Sequence, residues 1–117
     1  FKFILCSFYI SNSNKIILIW VDSDADGYTS AASLVNYLHN LFPAFTENNI
    51  IFKFHKGKEH GIIADEIPDS VGLVIAPDSS SNDYEEHKKL KERGIGVLVI
   101  DHHEAEKVSE DACVINN

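Results

Sequence analysis

Apolar runs recur along the chain, separated by segments of a different period. Residues 15–21, KIILIWV, are almost unbroken and rich in β-branched and aromatic side chains. That is the composition of a strand buried on both faces, as in a parallel sheet. VGLVIA at 71–76 and IGVLVI at 95–100 repeat the pattern. IIFKF at 50–54 is a weaker fourth candidate, interrupted by Lys53, and the closing CVINN is again strand-like. The opening FKFILCSFYI lacks the basic lead-in and small-residue cleavage site of a signal peptide, so it reads as a strand or sheet-edge element.

Between these runs the period lengthens. From Thr29 onward, Ala31, Leu34, Val35, Leu38, Leu41 and Phe42 recur at three and four, forming one stripe of an amphipathic helix that stops before Pro43. Residues 81–94, SNDYEEHKKLKERG, predict a second helix. Ser81 or Asn82 is available as its cap, acids occupy its first turn, lysines and Arg93 its last, and Gly94 ends it. Strand–helix–strand alternation with short connections predicts an α/β fold, a doubly wound, mostly parallel Rossmann-like sheet with flanking helices. Ligands of such sheets bind beyond the carboxyl ends of the strands. The residues that follow each apolar run are therefore the candidates for function.

Those residues are acids and histidines. Asp22, Asp24 and Asp26 follow the first run, Asp78 follows VIAP, and Asp101, His102 and His103 follow VLVI. Taken singly, each has an ordinary explanation. An aspartate after a strand often caps the next helix, and an isolated histidine pair is more often structural than a ligand. Five acids and two histidines at one rim, with no lysine among them, instead predict a metal site. Carboxylates and imidazoles without thiolate suit Mn²⁺ or Mg²⁺ better than structural zinc. So many anionic ligands can hold two ions about 3.5–4 Å apart, the arrangement used in phosphoester hydrolysis. Two cations would also supply the positive charge that three aspartates on alternate positions require.

Two other readings of DSDADG fail on the residues. As an EF-hand it would need a bidentate Glu at position 33, which is Ser33, and a helix rather than a strand before it. As the Asp-x-Asp of an aspartyl-phosphate phosphatase it would leave Asp101-His102-His103 unexplained.

Composition adds limits. A chain of 117 residues suits one domain, and its net charge of −8 argues against a broad basic face for nucleic acid. One basic patch, KFHKGKEHG at 53–61, holds Lys53, His55, Lys56, Lys58 and His60. It is as well suited to gripping a phosphate backbone as to forming a solvated loop. No apolar run reaches the roughly 20 residues of a membrane helix. Cys6 and Cys113 fit no metal or redox spacing, which predicts buried, reduced thiols in a cytoplasmic protein. The absence of Met and the abrupt end after CVINN suggest a piece of a longer protein.

The phrases DSDADGYTSAA, VIAPDSSSND and VLVIDHH resemble motifs I, II and III of the DHH phosphoesterases, in order and each at a strand end. The first is most similar to the RecJ-like branch of single-strand-specific nucleases. The resemblance covers residues 15 to 117 and implies roles. Asp22, Asp24 and Asp26 would form the motif I ligand cluster, Asp78 would bridge two metals, and His102 would bind metal directly. His103 would contact the scissile phosphate, and Asp101 would orient its neighbours as a supporting carboxylate. It implies a two-metal-activated water, single-stranded DNA as substrate, and Lys56, Lys58, His60 and Ser30 as candidate substrate contacts. Gly27 would allow a tight turn beneath the site, and Tyr28, Thr29 and Ser30 would start the helix. Phosphodiesterase action on short oligonucleotides or cyclic dinucleotides, and a non-catalytic scaffold role, are the alternatives. The pattern departs from RecJ at Trp20, where RecJ proteins commonly have histidine. A further metal-binding Asp and a second, substrate-gripping domain are expected beyond Asn117, in keeping with a DHH domain represented here by its N-terminal portion.

Overall fold

The structure, a computed structural model, describes residues 15–56 and 60–117. The expected opening strand and Cys6 lie outside the described residues. Five strands are present: β1 (Ile16–Val21), β2 (Ile50–Phe54), β3 (Val71–Pro77), β4 (Gly96–Asp101) and β5 (Cys113–Asn116). Helix α1 (Ala25–Leu41) and the short α2 (Pro43–Asn49) connect β1 to β2. A 3₁₀ turn at Ala64–Glu66 precedes β3, and α3 (Tyr84–Glu92) connects β3 to β4.

The strands form one sheet in the order β2-β1-β3-β4-β5, and every neighbouring pair is parallel. From β1 the chain moves outward to β2, then returns to β3 on the other side and continues away. The order therefore reverses between β1 and β3, and the connections leaving those two strands diverge. This is the switch point at which open α/β sheets form a crevice.

Both faces of the three central strands β1, β3 and β4 are covered, which explains why their sequences are unbroken rather than alternating. Ile17, Ile19, Val21, Leu73, Ile75 and Leu98 pack against Leu34 and Leu38 of α1 and Phe45 of α2. The intervening residues Leu18, Trp20, Val74, Ala76, Val97 and Val99 pack with Leu90 of α3, Ile62 and Ile67. Each such side chain contributes about 1.5–3 kcal/mol when fully buried, and this double layer holds the strand ends in fixed register.

Four local expectations are corrected. Helix α1 starts at Ala25, not near Thr29, because Asp24 caps it with its side chain on the Gly27 N–H at 2.7 Å. Helix α2 was not anticipated. It begins on Pro43, whose fixed φ and missing N–H suit a first helical position. Helix α3 begins at Tyr84, and neither Ser81 nor Asn82 caps it. The Ser81 N–H goes to Asp101 Oδ2, and the Asn82 side chain bonds Glu104, Glu106 and Tyr84. Cys113 is a free thiol as expected, but it is exposed, because β5 is an edge strand. Among the described residues no helix is long and apolar enough to cross a membrane.

Candidate metal centre

The three motifs meet at the carboxyl edge of β1, β3 and β4. Asp22 directly follows β1 and is buried. Three hydrogen-bonding groups converge on its Oδ1: the Ser23 N–H at 3.0 Å, His55 Nδ1 at 2.9 Å and His60 Nδ1 at 3.3 Å. Asp24 and Asp26 are exposed at the start of α1. Gly27 is needed for a reason different from the expected tight turn. A Cβ there would lie 2.5 Å from the Asp22 carbonyl oxygen, so glycine lets the helix start press against the strand end.

Beyond β3 the backbone is held in an uncommon shape. Asp78 and Ser80 have φ of 75° and 79°, the left-handed region that non-glycine residues rarely occupy. The Asp78 N–H donates to the Ile100 carbonyl at 2.7 Å, and Ser80 Oγ accepts from the Ile62 N–H at 3.1 Å. Residues held this way cluster at functional sites, where the surroundings enforce them. The effect is to turn Asp78 back over the sheet edge, buried, with its Oδ1 2.9 Å from His102 Nε2. Its Oδ2 is buried with no hydrogen-bond partner among the described residues. Burial raises the Asp78 pKa. His102 and His103 oppose that rise, while the charges of Asp24 and Asp26 add to it.

Asp101 ends β4 and is differently placed. Its Oδ1 accepts from the His102 N–H at 2.8 Å, the His103 N–H at 3.2 Å and His103 Nδ1 at 2.6 Å, and its Oδ2 accepts from the Ser81 N–H at 3.1 Å. Burial alone would raise its pKa, but these hydrogen bonds outweigh it and hold the carboxyl at about 2. His103 responds in the opposite sense, its pKa raised chiefly by the hydrogen bond to Asp101.

Ligand atoms of Asp78, His102 and His103 lie within 4.8 Å of one another, close enough to share one ion. Asp22, Asp24 and His103 border a cleft of about 350 Å³. Asp78, His102 and Ser30 border a second cleft of about 600 Å³, and Asp101 touches both. The donor set is carboxylate and imidazole, and one buried carboxylate oxygen lacks any partner among the described residues. These features fit a hard divalent cation.

The expected substrate contacts fare unevenly. Ser30 and His60 line the two clefts, Lys56 is exposed, and Lys58 lies outside the described residues. Lys53 is engaged by Glu66 at 2.9 Å. His55, grouped by sequence with the basic patch, is buried beneath Asp22 and receives the Trp20 indole N–H at 2.7 Å. A second unforeseen contact lies beside it. The Asp83 carboxylate accepts from the Ile62 N–H at 2.9 Å, and Gly61, at φ +81°, has no room for a Cβ beside that carboxylate. No periodicity could have revealed either contact, because both join residues far apart in sequence.

Known proteins are similar to this chain in sequence and in fold. YorK of the SPbeta prophage in Bacillus subtilis (strain 168), provisionally named a single-strand DNA-specific exonuclease, is 50% identical over 109 residues, 93% of this chain. The yorK protein of Bacillus phage SPbeta matches equally. The chain spans only 18% of the length of these relatives. A crystal structure of exonuclease RecJ bound to manganese superposes with a TM-score of 0.71 at 27% identity, covering 90% of this chain and 27% of that one. RecJ from Thermus thermophilus in complex with Mn²⁺ gives a TM-score of 0.66 at 25% identity, covering 90% of this chain and 15% of that one. The sequence also matches the N-terminal domain of the DHH family across residues 16–117, so, with its three motifs in order at three parallel strand ends, the chain belongs to the DHH family.

Proposed function

We propose that this chain forms the metal-holding part of a phosphodiester hydrolase of the RecJ type, one that removes nucleotides from single-stranded DNA. The observation that carries the reading is Asp78. It is a buried carboxylate in an enforced backbone conformation, with one oxygen unpartnered among the described residues and two histidines beside it. A buried acceptor without a partner costs about 1–3 kcal/mol, and a cation removes that cost. The exonuclease names of YorK and RecJ, and the manganese in the RecJ structures, support the choice of reaction and ion.

Asp22, Asp24, Asp26, Asp78 and His102 would hold two ions, Mn²⁺ or Mg²⁺. When bound, such ions neutralise phosphoryl charge and bring the pKa of water toward neutrality. The chain's own residues do the rest. Asp101 fixes the His103 ring through Nδ1 and favours its protonated form, which leaves an Nε2–H donor for a phosphoryl oxygen. Asp101 itself acts by positioning, since both its oxygens are already engaged. Ser30 and His60 border the two clefts along which a strand would pass, and Lys56 and Lys58 are the further candidates for gripping its phosphates. The net charge of −8 then fits a site whose positive charge comes from its ions rather than from a basic surface.

The test is hydrolysis by the intact protein of 5′- and 3′-labelled single strands, against duplex DNA, single-stranded RNA and dinucleotides, with Mn²⁺ and with chelator. The proposal expects stepwise, metal-dependent loss of nucleotides from single-stranded DNA. Hydrolysis of dinucleotides alone would shift the reading to a short-oligonucleotide phosphodiesterase. No metal-dependent hydrolysis of any of these would leave the scaffold role.

A further inference from the structure

His55 is not among the candidate ligands above, yet its side chain is fully buried against Asp22, Trp20 and Gly61. Its Nδ1 lies 2.9 Å from Asp22 Oδ1. Its Nε2 lies 2.7 Å from the Trp20 indole nitrogen and 2.6 Å from the Gly61 carbonyl oxygen. These two Nε2 contacts make opposite demands. The indole N–H is only a donor and needs a bare Nε2, whereas the carbonyl is only an acceptor and needs an Nε2–H. Either way, Nδ1 must carry a hydrogen, because a bare Nδ1 would set its lone pair against the Asp22 carboxylate. The Nδ1–H donor to Asp22 is therefore common to both arrangements.

That donor joins the Ser23 N–H and His60 on the same oxygen, Oδ1, and none of these bonds falls on Oδ2. We infer that His55 is the positioning residue of the motif I carboxylate. It pins Oδ1, fixes the rotation of the Asp22 carboxyl and thereby presents Oδ2 to the cation, while Trp20, buried in β1, holds the ring from behind. Outer partners of this kind orient metal ligands, and their loss typically costs 10–100-fold in metal affinity. The inference rests on the metal-centre reading proposed above.

The test is Mn²⁺ titration by calorimetry into the intact protein and three variants, each first checked by its thermal melt. An Asn amide reaches the position of Nδ1 and a Gln amide that of Nε2. His55→Asn should therefore keep Mn²⁺ affinity within a few-fold of wild type, while His55→Gln should weaken it by about 10–100-fold. Trp20→Phe, which keeps most of the volume but loses the N–H, should weaken it by a smaller factor. A merely space-filling His55 would give the same loss for Asn as for Gln, and that result overturns the inference. So does unchanged affinity in both. If one of these variants does not fold, Trp20→Phe carries the decision, and undiminished affinity there overturns the role given to the pair. Absence of Mn²⁺ binding by wild type is a different failure: it removes the metal-centre reading itself, and this inference with it.

Discussion

Asp78 and Asp101 stand at the carboxyl ends of adjacent parallel strands and are equally buried, at 6% exposure, yet their surroundings are opposite. Asp101 receives four hydrogen bonds, has both oxygens occupied and is held at about 2. Asp78 has a histidine at one oxygen and, among the described residues, nothing at the other, and burial pushes its pKa up. The difference lies in the turns that follow. After β4 the backbone N–H groups of His102 and His103 fold back onto Asp101. After β3 the left-handed turn at Asp78 and Ser80 directs the nearby N–H groups elsewhere. A carboxylate that the protein has already satisfied builds structure. One buried with no partner among the described residues at one of its oxygens is open to something else, and in the function proposed above that partner is a cation.

Substitutions should separate the two. The largest effect is expected from Asp78→Asn in a nuclease assay, a loss of at least about a hundredfold, because in the proposed function this residue would hold the ions that supply the chemistry. Its melting temperature without metal should stay level or rise, since a carboxylate whose charged form burial disfavours is replaced by a neutral group. Asp101→Asn should behave in reverse. Lowering the carboxyl from 3.8 to about 2 corresponds to about 2 kcal/mol of stability at neutral pH, and urea unfolding should register a loss of that order. Mn²⁺ binding should survive in it, weakened, because Asp101 orients His102 and His103 without lying among the ligands.

The pH dependence sharpens the same contrast. A carboxyl depressed in the folded state, as in Asp101, contributes stability above its unfolded value of 3.8. That stability is lost as pH falls from about 5 toward 2, so Asp101→Asn should flatten this acid limb in denaturant melts. Asp78 is raised, so in the metal-free protein its protonation favours the fold as pH drops, and Asp78→Asn should leave the limb as steep or steeper. The smallest effect is expected at His87, buried under α3 with Nδ1 on Ser109 and Nε2 unpartnered among the described residues. Burial lowers its pKa below 6.5, so the folded protein resists its protonation. Stability should decline as pH falls below about 6.5, and His87→Gln should remove that slope.

Much of this arrangement was legible in the sequence. The doubly buried strands showed as unbroken runs, and the rule that parallel sheets bind ligands at their carboxyl ends led directly to Asp22, Asp78 and Asp101-His102-His103. The start of α1 was misplaced because its first turn is polar, and Asp24 capping a helix leaves no trace in hydrophobic period. Roles were harder to read than positions. Asp78 and Asp101 look alike as letters, and only the left-handed turn and the N–H groups that fold back after β4 distinguish them. Trp20 looked like a missing histidine. In the fold it is a buried indole whose N–H reaches a histidine 35 residues away, a pairing set by the β1–β2 register.

The most direct test of the central claim is Mn²⁺ titration by calorimetry into the intact protein, wild type beside Asp78→Asn. The account predicts saturable binding by wild type, with two ions per chain, and loss of at least one site in the variant. No binding at millimolar Mn²⁺, or the same isotherm in both proteins, would contradict it.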